Sequence, residues 1–337
     1  MIDTRFTRAF GLVHPVALAP MAGAAGGRLA AAVARSGGLG LLGGGYGDAD
    51  WIAREWDLAE GAAIGIGFIT WKLTADLLAR CLDRGPRAVM LSFGDPAPFA
   101  AAIQAAGVPL ICQCQTLEHA RAALESGARI IVAQGAEAGG HGATRGTISL
   151  TPEIADLMAA RAPETLLLAA GGIADGRGLA AALMLGADGA LIGSRFWAAS
   201  EALVPAGFHR AALAADGDAT LRTRAVDAVR GLGWPDPFTI RVMRSGFTDR
   251  WHSTPDALRA PGAANARADW TAAQAMGDAE NGSPVAGEAI GLIRDTAPAA
   301  DLLAWIGAEA EQRLSLFQLS RGEVPVAPTP DHPAAEV

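Results

Sequence analysis

Two hydrophobic rhythms alternate along the first two hundred residues. Short apolar runs stand at 16–19, 39–42, 63–68, 88–92, 110–113, 129–134, 166–170 and 189–192. Each is short and almost free of polar alternation. That is the pattern of a strand buried on both faces, as parallel sheets require. Between them lie amphipathic Ala/Leu/Arg segments at 28–35, 73–83, 99–106, 117–125, 153–160 and 178–185, which read as helices. Eight strands at a spacing of roughly twenty to thirty residues predict a (β/α)8 TIM barrel, an α/β fold of about 250 residues. A doubly wound open sheet is the alternative. Glycines at nearly every strand C-terminus favour the closed barrel.

The rhythm stops after the eighth run. Residues 200–283 hold Trp234, Trp251 and Trp270, several prolines and scattered charges, with no strand alternation. This predicts a mostly helical insertion after strand eight that covers the barrel mouth and the substrate. Residues 290–314 read as a final barrel helix broken by a turn at 295–298. The expected organisation is a barrel from 1–199 and 284–321 and a helical covering subdomain from 200–283. A loose C-terminal tail is expected at 322–337, where four prolines fall.

Composition narrows the class. Of the 337 residues 51% are hydrophobic and only 18% charged, which suits a large core. The net charge is −8 and no dense basic run occurs, so nucleic acid is not an expected partner. The lone tyrosine, Tyr46, also argues against an aromatic RNA platform. No run approaches the ~18 apolar residues of a membrane span. No signal peptide is read at the start, and a cytoplasmic protein is expected. The sequon Asn281-Gly282-Ser283 therefore carries no weight. Cys81, Cys112 and Cys114 are too few for a disulfide framework. Cys112 and Cys114 read as a buried reduced pair, and no metal site is expected.

In such a barrel the chemistry sits at the C-terminal strand ends. Strand seven runs out through Ala169-Ala170-Gly171-Gly172-Ile173-Ala174-Asp175-Gly176, and strand eight through Leu191-Ile192-Gly193-Ser194-Arg195. Tight βα turns would account for these glycines. Phosphate binding is the sharper reading: Gly171, Gly172 and Gly193 leave peptide N–H groups open, and the Ser194 hydroxyl can donate. Arg195 reads as a helix-start or salt-bridge residue. Strand one exits through Ala19-Pro20-Met21-Ala22-Gly23. Pro20 stiffens that exit, and Met21 offers a soft contact for a conjugated ring. Gln113, Gln115 and Gln134 close strands five and six, where amides can bond the polar edge of a heterocycle. Gly38, Gly40 and Gly43 match G-x-G-x-x-G, but they fall within a strand and not in a strand-to-helix turn.

One histidine differs from the other five. His141 follows Gly139 and Gly140 on the loop after strand six, at the catalytic rim. An imidazole there can act as acid or base near neutral pH. Glu137 either tunes it, caps the loop or forms a salt bridge outside the site.

These segments together resemble the nitronate monooxygenase family, once called 2-nitropropane dioxygenases. The match is carried by Ala19–Gly23, Ala133–Gly142, Ala169–Gly176 and Leu185–Phe196. It covers about residues 10–200 well. The flavin-dependent enoyl-acyl-carrier-protein reductases carry similar segments. The resemblance implies noncovalent FMN, its phosphate on Gly171, Gly172, Gly193 and Ser194. Its ring would lie by Pro20, Met21, Ala22, Gln113, Gln134, Gly139 and Gly140, with His141 facing the reactive side. Many relatives have threonine where this chain has Ser194. The implied activity is oxidation of alkyl nitronates by O2 to carbonyl compounds and nitrite. Two alternatives stand beside it: an NAD(P)H-dependent FMN reductase of quinones or enoyl thioesters, and a flavin-binding protein without turnover. The oligomeric state stays open between a monomer and a homodimer, since apolar helix faces of such barrels often pair.

Overall fold

All eight predicted strands form, and they run parallel. The structure is a computed structural model that describes residues 2–319. In chain order its strands are β1 (Val16–Leu18), β2 (Leu41–Gly45), β3 (Gly65–Ile69), β4 (Val89–Ser92), β5 (Leu110–Cys114) and β6 (Ile130–Gln134). Then come β7 (Gly140–Gly142), β8 (Leu166–Ala170), β9 (Gly189–Ile192), β10 (Thr220–Thr223) and β11 (Thr239–Met243). The sheet order β1-β9-β8-β6-β5-β4-β3-β2 is that of a barrel. A parallel bridge between Ala17 and Leu39 closes it. There Leu18 N–H donates to Leu39 O, and Leu39 N–H to Val16 O, each at 2.9 Å.

The side-chain period of two explains why each strand is apolar on both faces. Ala17, Leu41, Met90, Ile111, Val132 and Leu168 point into the barrel, where Phe6 and Phe10 join their cluster. Leu18, Leu42, Ile66, Leu91 and Ile131 point outward against the helices. Full burial contributes about 1.5–3 kcal/mol for each such Leu or Ile. The G-x-G-x-x-G glycines serve packing. A Cβ on Gly40 would lie 1.9 Å from Ala30 O, and one on Gly43 2.2 Å from Met21 O. Bare backbone there lets the helix Gly27–Arg35 and the β1 exit close on β2.

Beyond β9 the chain returns to the barrel as the helix Ala299–Leu319. It lies between the helices Gly176–Met184 and Gly27–Arg35. Glu309 fixes it by accepting from Gly176 N–H at 2.9 Å. The expected break at 295–298 immediately precedes this helix, and Glu288–Leu292 forms only a 3-10 turn. The predicted tail at 322–337 lies outside the described residues.

The cover is mostly helical, through Ala206–Ala214, Ala225–Val229, Gly246–Trp251 and Ala264–Met276. It also holds strands where none was expected: β10, β11 and β7 form a three-stranded antiparallel sheet. β7 is the Gly-His-Gly of the loop after β6, with His141 registered opposite Ile240. Two glycines in three residues give no strand signal, and only the distant β11 draws this segment into a sheet. Among the described residues, no helix is long and apolar enough to cross a membrane. Nor do three or more His, Cys, Asp or Glu gather there in a metal-binding group. All three cysteines are buried thiols, and burial pushes Cys112 up to about 12.

Candidate active site

A cavity of about 520 Å³ lies at the C-terminal ends of the barrel strands, under the cover. The β1 exit lines it with Pro20, Met21 and Ala22. Gln113 and Gln134 line it from β5 and β6, and Gly139, Gly140 and His141 from the loop and β7. Gly171, Gly172, Gly193 and Ser194 complete the wall after β8 and β9. The predicted site residues are thus brought to one cavity.

At the β8/β9 end the wall is backbone. Gly171 and Gly172 sit at φ +103° and +75°, a region that side chains rarely adopt. A Cβ on Gly171 would also come within 2.9 Å of Thr147 Oγ1. Among the described residues the peptide N–H groups of Gly171, Gly172, Gly193 and Ser194 donate to no protein acceptor. Donors left open in a cavity wall suit an anionic oxygen. The Ser194 hydroxyl accepts from Gly287 N–H at 2.9 Å, which ties the cover's return segment to the rim.

The amides at the β5 and β6 ends form a relay. His119 Nδ1 lies 3.1 Å from Gln115 Oε1. Gln115 and Gln113 both donate to Gln134 Oε1, at 2.8 and 3.1 Å. Gln134 donates to His141 O at 3.0 Å, so β6 holds the backbone of β7. Gln113 keeps its own carbonyl oxygen without a partner among the described residues. Gln115 is buried behind the wall and supports the other two.

His141 is held on three sides. Its Nε2 lies 2.9 and 3.1 Å from the two carboxylate oxygens of Asp227, on the helix Ala225–Val229. The Trp234 ring stacks on the imidazole, with centroids 3.3 Å apart and planes within 8°. Phe93 packs edge-on at 6.1 Å. Phe93 has φ +64°, a strained setting for a large side chain, and it also meets Trp234 and Phe238. Burial lowers the His141 pKa from the ordinary 6.5; the Asp227 carboxylate opposes this, and Arg230 and Arg222 reinforce it. Tyr46 accepts from Trp234 Nε1 at 3.0 Å and from Arg230 at 3.3 Å, under the Arg230 guanidinium.

Two residues left open in the sequence have clear places. Glu137 accepts from Thr147 N–H and Oγ1 at 2.9–3.0 Å, so it caps the helix Thr147–Arg161 from across the loop. Arg195 pairs with Asp295 at 2.6 Å, behind the wall.

A nitronate monooxygenase family model matches residues 3–63 and 57–309. The chain belongs to the nitronate monooxygenase family. It is accordingly a flavin-dependent oxidoreductase. It is 31% identical to a nitronate monooxygenase of Neurospora crassa, over 90% of this chain and 91% of that one. The structure superposes on FabK from Thermotoga maritima with a TM-score of 0.81 at 27% identity, covering 95% and 100% of the two chains. For a nitroalkane oxidase from Streptomyces ansochromogenes the TM-score is 0.76 at 27% identity, with 92% and 99% covered.

For a member of the nitronate monooxygenase family, the open peptide donors, the bare glycine wall and the relay amides fit a flavin in this cavity. Sequence reasoning missed Asp227, Phe93 and the clamp on the β7 loop. Arg222 donates to the carbonyls of Ala136 and Thr239 at 3.0 and 2.7 Å, and Arg241 also donates to Ala136 O. In the sequence Trp234 stood only as one of three tryptophans in the insertion. Spacing gave no signal for Asp227, because its helix reaches His141 through β10 and β11.

Proposed function

We propose that the chain is an FMN-dependent enzyme that oxidises alkyl nitronates with O2 to carbonyl compounds and nitrite. One observation carries this reading: the open backbone donors and a histidine with a free ring nitrogen share one cavity. His141 Nδ1 has no protein partner among the described residues. In this reading the peptide groups of Gly171, Gly172, Gly193 and Ser194 hold a terminal phosphate, the group with which FMN ends. Pro20, Met21 and Ala22 flank the ring on one side of the mouth. Gln113 and Gln134 meet its polar edge, beside Gly139 and Gly140. Bound FMN supplies electron transfer from the substrate to O2.

The remaining work belongs to the chain's own side chains. Leu203, Val204 and Phe208 of the cover line the cavity and keep water from it. Arg230 lines it too and gives an anionic nitronate a favourable approach. His141 orients the substrate, either by hydrogen-bonding nitronate oxygens or by taking a proton from a neutral nitroalkane.

The test begins with the visible spectrum of the purified protein and identification of any released flavin. Ethyl nitronate is then added under air and nitrite is measured. Nitrite formed in step with O2 consumption is the expected result. Flavin-loaded protein that makes no nitrite overturns the reading. Rapid anaerobic bleaching by NADH or NADPH in that same sample would put a reductase in its place.

A further inference from the structure

We infer that Asp227 is a positioning residue that fixes the His141 tautomer, leaving Nδ1 as a base and suiting the site to neutral nitroalkanes. This rests on the proposed activity, in which His141 can take a proton from a neutral nitroalkane, and adds the residue that positions it for that step.

Hydrogen-bonding capacity decides which ring nitrogen carries the proton. An ionised carboxylate only accepts, so the ring nitrogen 2.9 and 3.1 Å from its two oxygens carries the proton. Neutral imidazole has one N–H, so Nδ1 is left as the acceptor. The pair is withdrawn from water: His141 is 8% exposed and Asp227 3%. The Trp234 stack sets the plane of the ring, and the β7–β11 register sets the backbone beneath it. The ring therefore has little freedom to turn its other nitrogen towards Asp227. Nδ1 meets no protein partner among the described residues, and His141 lines the cavity.

The step is a proton transfer. The C–H bond α to the nitro group breaks and an N–H bond forms at Nδ1. The electron pair moves into the C=N bond of the nitronate, and the negative charge settles on its oxygens. No oxidant is consumed. The imidazolium formed is paired with Asp227, which offsets the burial that otherwise disfavours a charged ring. The other charged groups around the ring, Arg222 from β10 and Arg230 beyond the Asp227 helix, oppose that charge. Tyr46 engages Trp234 and Arg230, and Glu137 engages Thr147. Asp227 is thus the group that makes protonation at His141 affordable. A nitronate has already lost the proton, so its oxidation asks much less of Asp227.

This difference is the test. Flavin-loaded wild type and Asp227→Asn are compared on neutral nitroethane and on freshly prepared ethyl nitronate. The expected loss in kcat/KM is about 100-fold or more on nitroethane, the low end of a general base's contribution, with a far smaller loss on the nitronate. The acid limb of the nitroethane profile should move to lower pH, because removing the carboxylate lowers the imidazole pKa. Equal losses on both substrates, or none, overturn the inference. Nitrogen-15 NMR of histidine-labelled wild type reads the tautomer directly, whatever the variant's fold or activity. A proton on Nε2 supports the assignment, and a proton on Nδ1 overturns it. Wild type that makes no nitrite from ethyl nitronate defeats the proposed activity instead, with the tautomer still measured.

Discussion

The two ends of the cavity are built by opposite means. At the β8/β9 end the groups are peptide N–H donors immediately after two neighbouring strands. Each is placed by its own strand and turn. At the β6 end the working group is a side chain, and what holds it comes from far along the chain. Asp227 is 86 residues from His141, and the strand beneath His141 exists only because β11 pairs with it. A backbone site tolerates most side-chain changes and fails where glycine is lost. A side-chain site fails wherever its distant supports fail. Damage to the cover should therefore stop the chemistry while leaving the flavin in place.

The sharpest way to separate the two ends is His141→Gln, which keeps a polar side chain but no base. Turnover of a neutral nitroalkane should fall by about 10²–10⁴-fold, while the flavin absorbance of the purified protein is unchanged. Loss of flavin from this variant would show that the ends are not independent. The pH profile of wild type carries the same information. The folded His141 pKa lies below 6.5, so the neutral ring is retained through pH 7 and protonated only as the pH drops below that value. Nitroalkane activity should therefore hold on the neutral side and fall on the acid side. Linkage has the same sign: the unfolded chain protonates first, so stability from this group is present above 6.5 and is lost progressively as the pH falls through the folded value. An acid limb above 6.5 would break the assignment.

The opposite end is tested by Gly171→Val. A β-branched residue at φ +103° costs on the order of 1–3 kcal/mol, before any contact of its Cβ with Thr147 Oγ1. Flavin affinity should fall by roughly 10–100-fold, seen as colourless protein after gel filtration, with the cover's tryptophan fluorescence preserved. Full flavin occupancy in this variant would show that the glycine wall does not hold the flavin.

How much could be read in advance follows the same division. Every barrel strand was legible, because a strand buried on both faces leaves a continuous apolar run. The glycine wall was legible too, since Gly171, Gly172, Gly193 and Ser194 each stand directly after such a run. His141 was found from its position on the rim. Its supports were not. Asp227 lies in a five-residue helix with no marked pattern. β10 and β11 span only four and five positions with one charged residue each, too short for an alternation to register. Their partner, the Gly-His-Gly of β7, has no strand propensity at all. Pairing between such segments is decided by tertiary contact, which periodicity cannot supply.

A smaller effect is expected where the cover is clamped to the β6 loop. Arg222→Met removes the donor of the Ala138 and Thr239 carbonyls, while Ala136 O keeps its bond from Arg241. An unsatisfied buried group costs about 1–3 kcal/mol, and water entering beside the shorter side chain reduces that. Hydrogen exchange should accelerate in β7, β10 and β11 while the barrel strands keep their protection. Uniform acceleration across the barrel would mean that cover and barrel unfold as one unit.

The smallest change is expected from Glu137→Gln. It lines the cavity with its loop neighbours, yet its carboxylate accepts from Thr147 N–H and Oγ1 at the start of a fifteen-residue helix. An amide oxygen can still accept there, but the charge that complements the helix N-terminus is gone, which is worth about 0.3–1 kcal/mol. The midpoint of thermal unfolding should drop by a few degrees at most, with kcat on nitronate unchanged. A large fall in kcat without a stability change would move Glu137 from helix cap to participant. The boundary between the two ends of the cavity would then run through this loop.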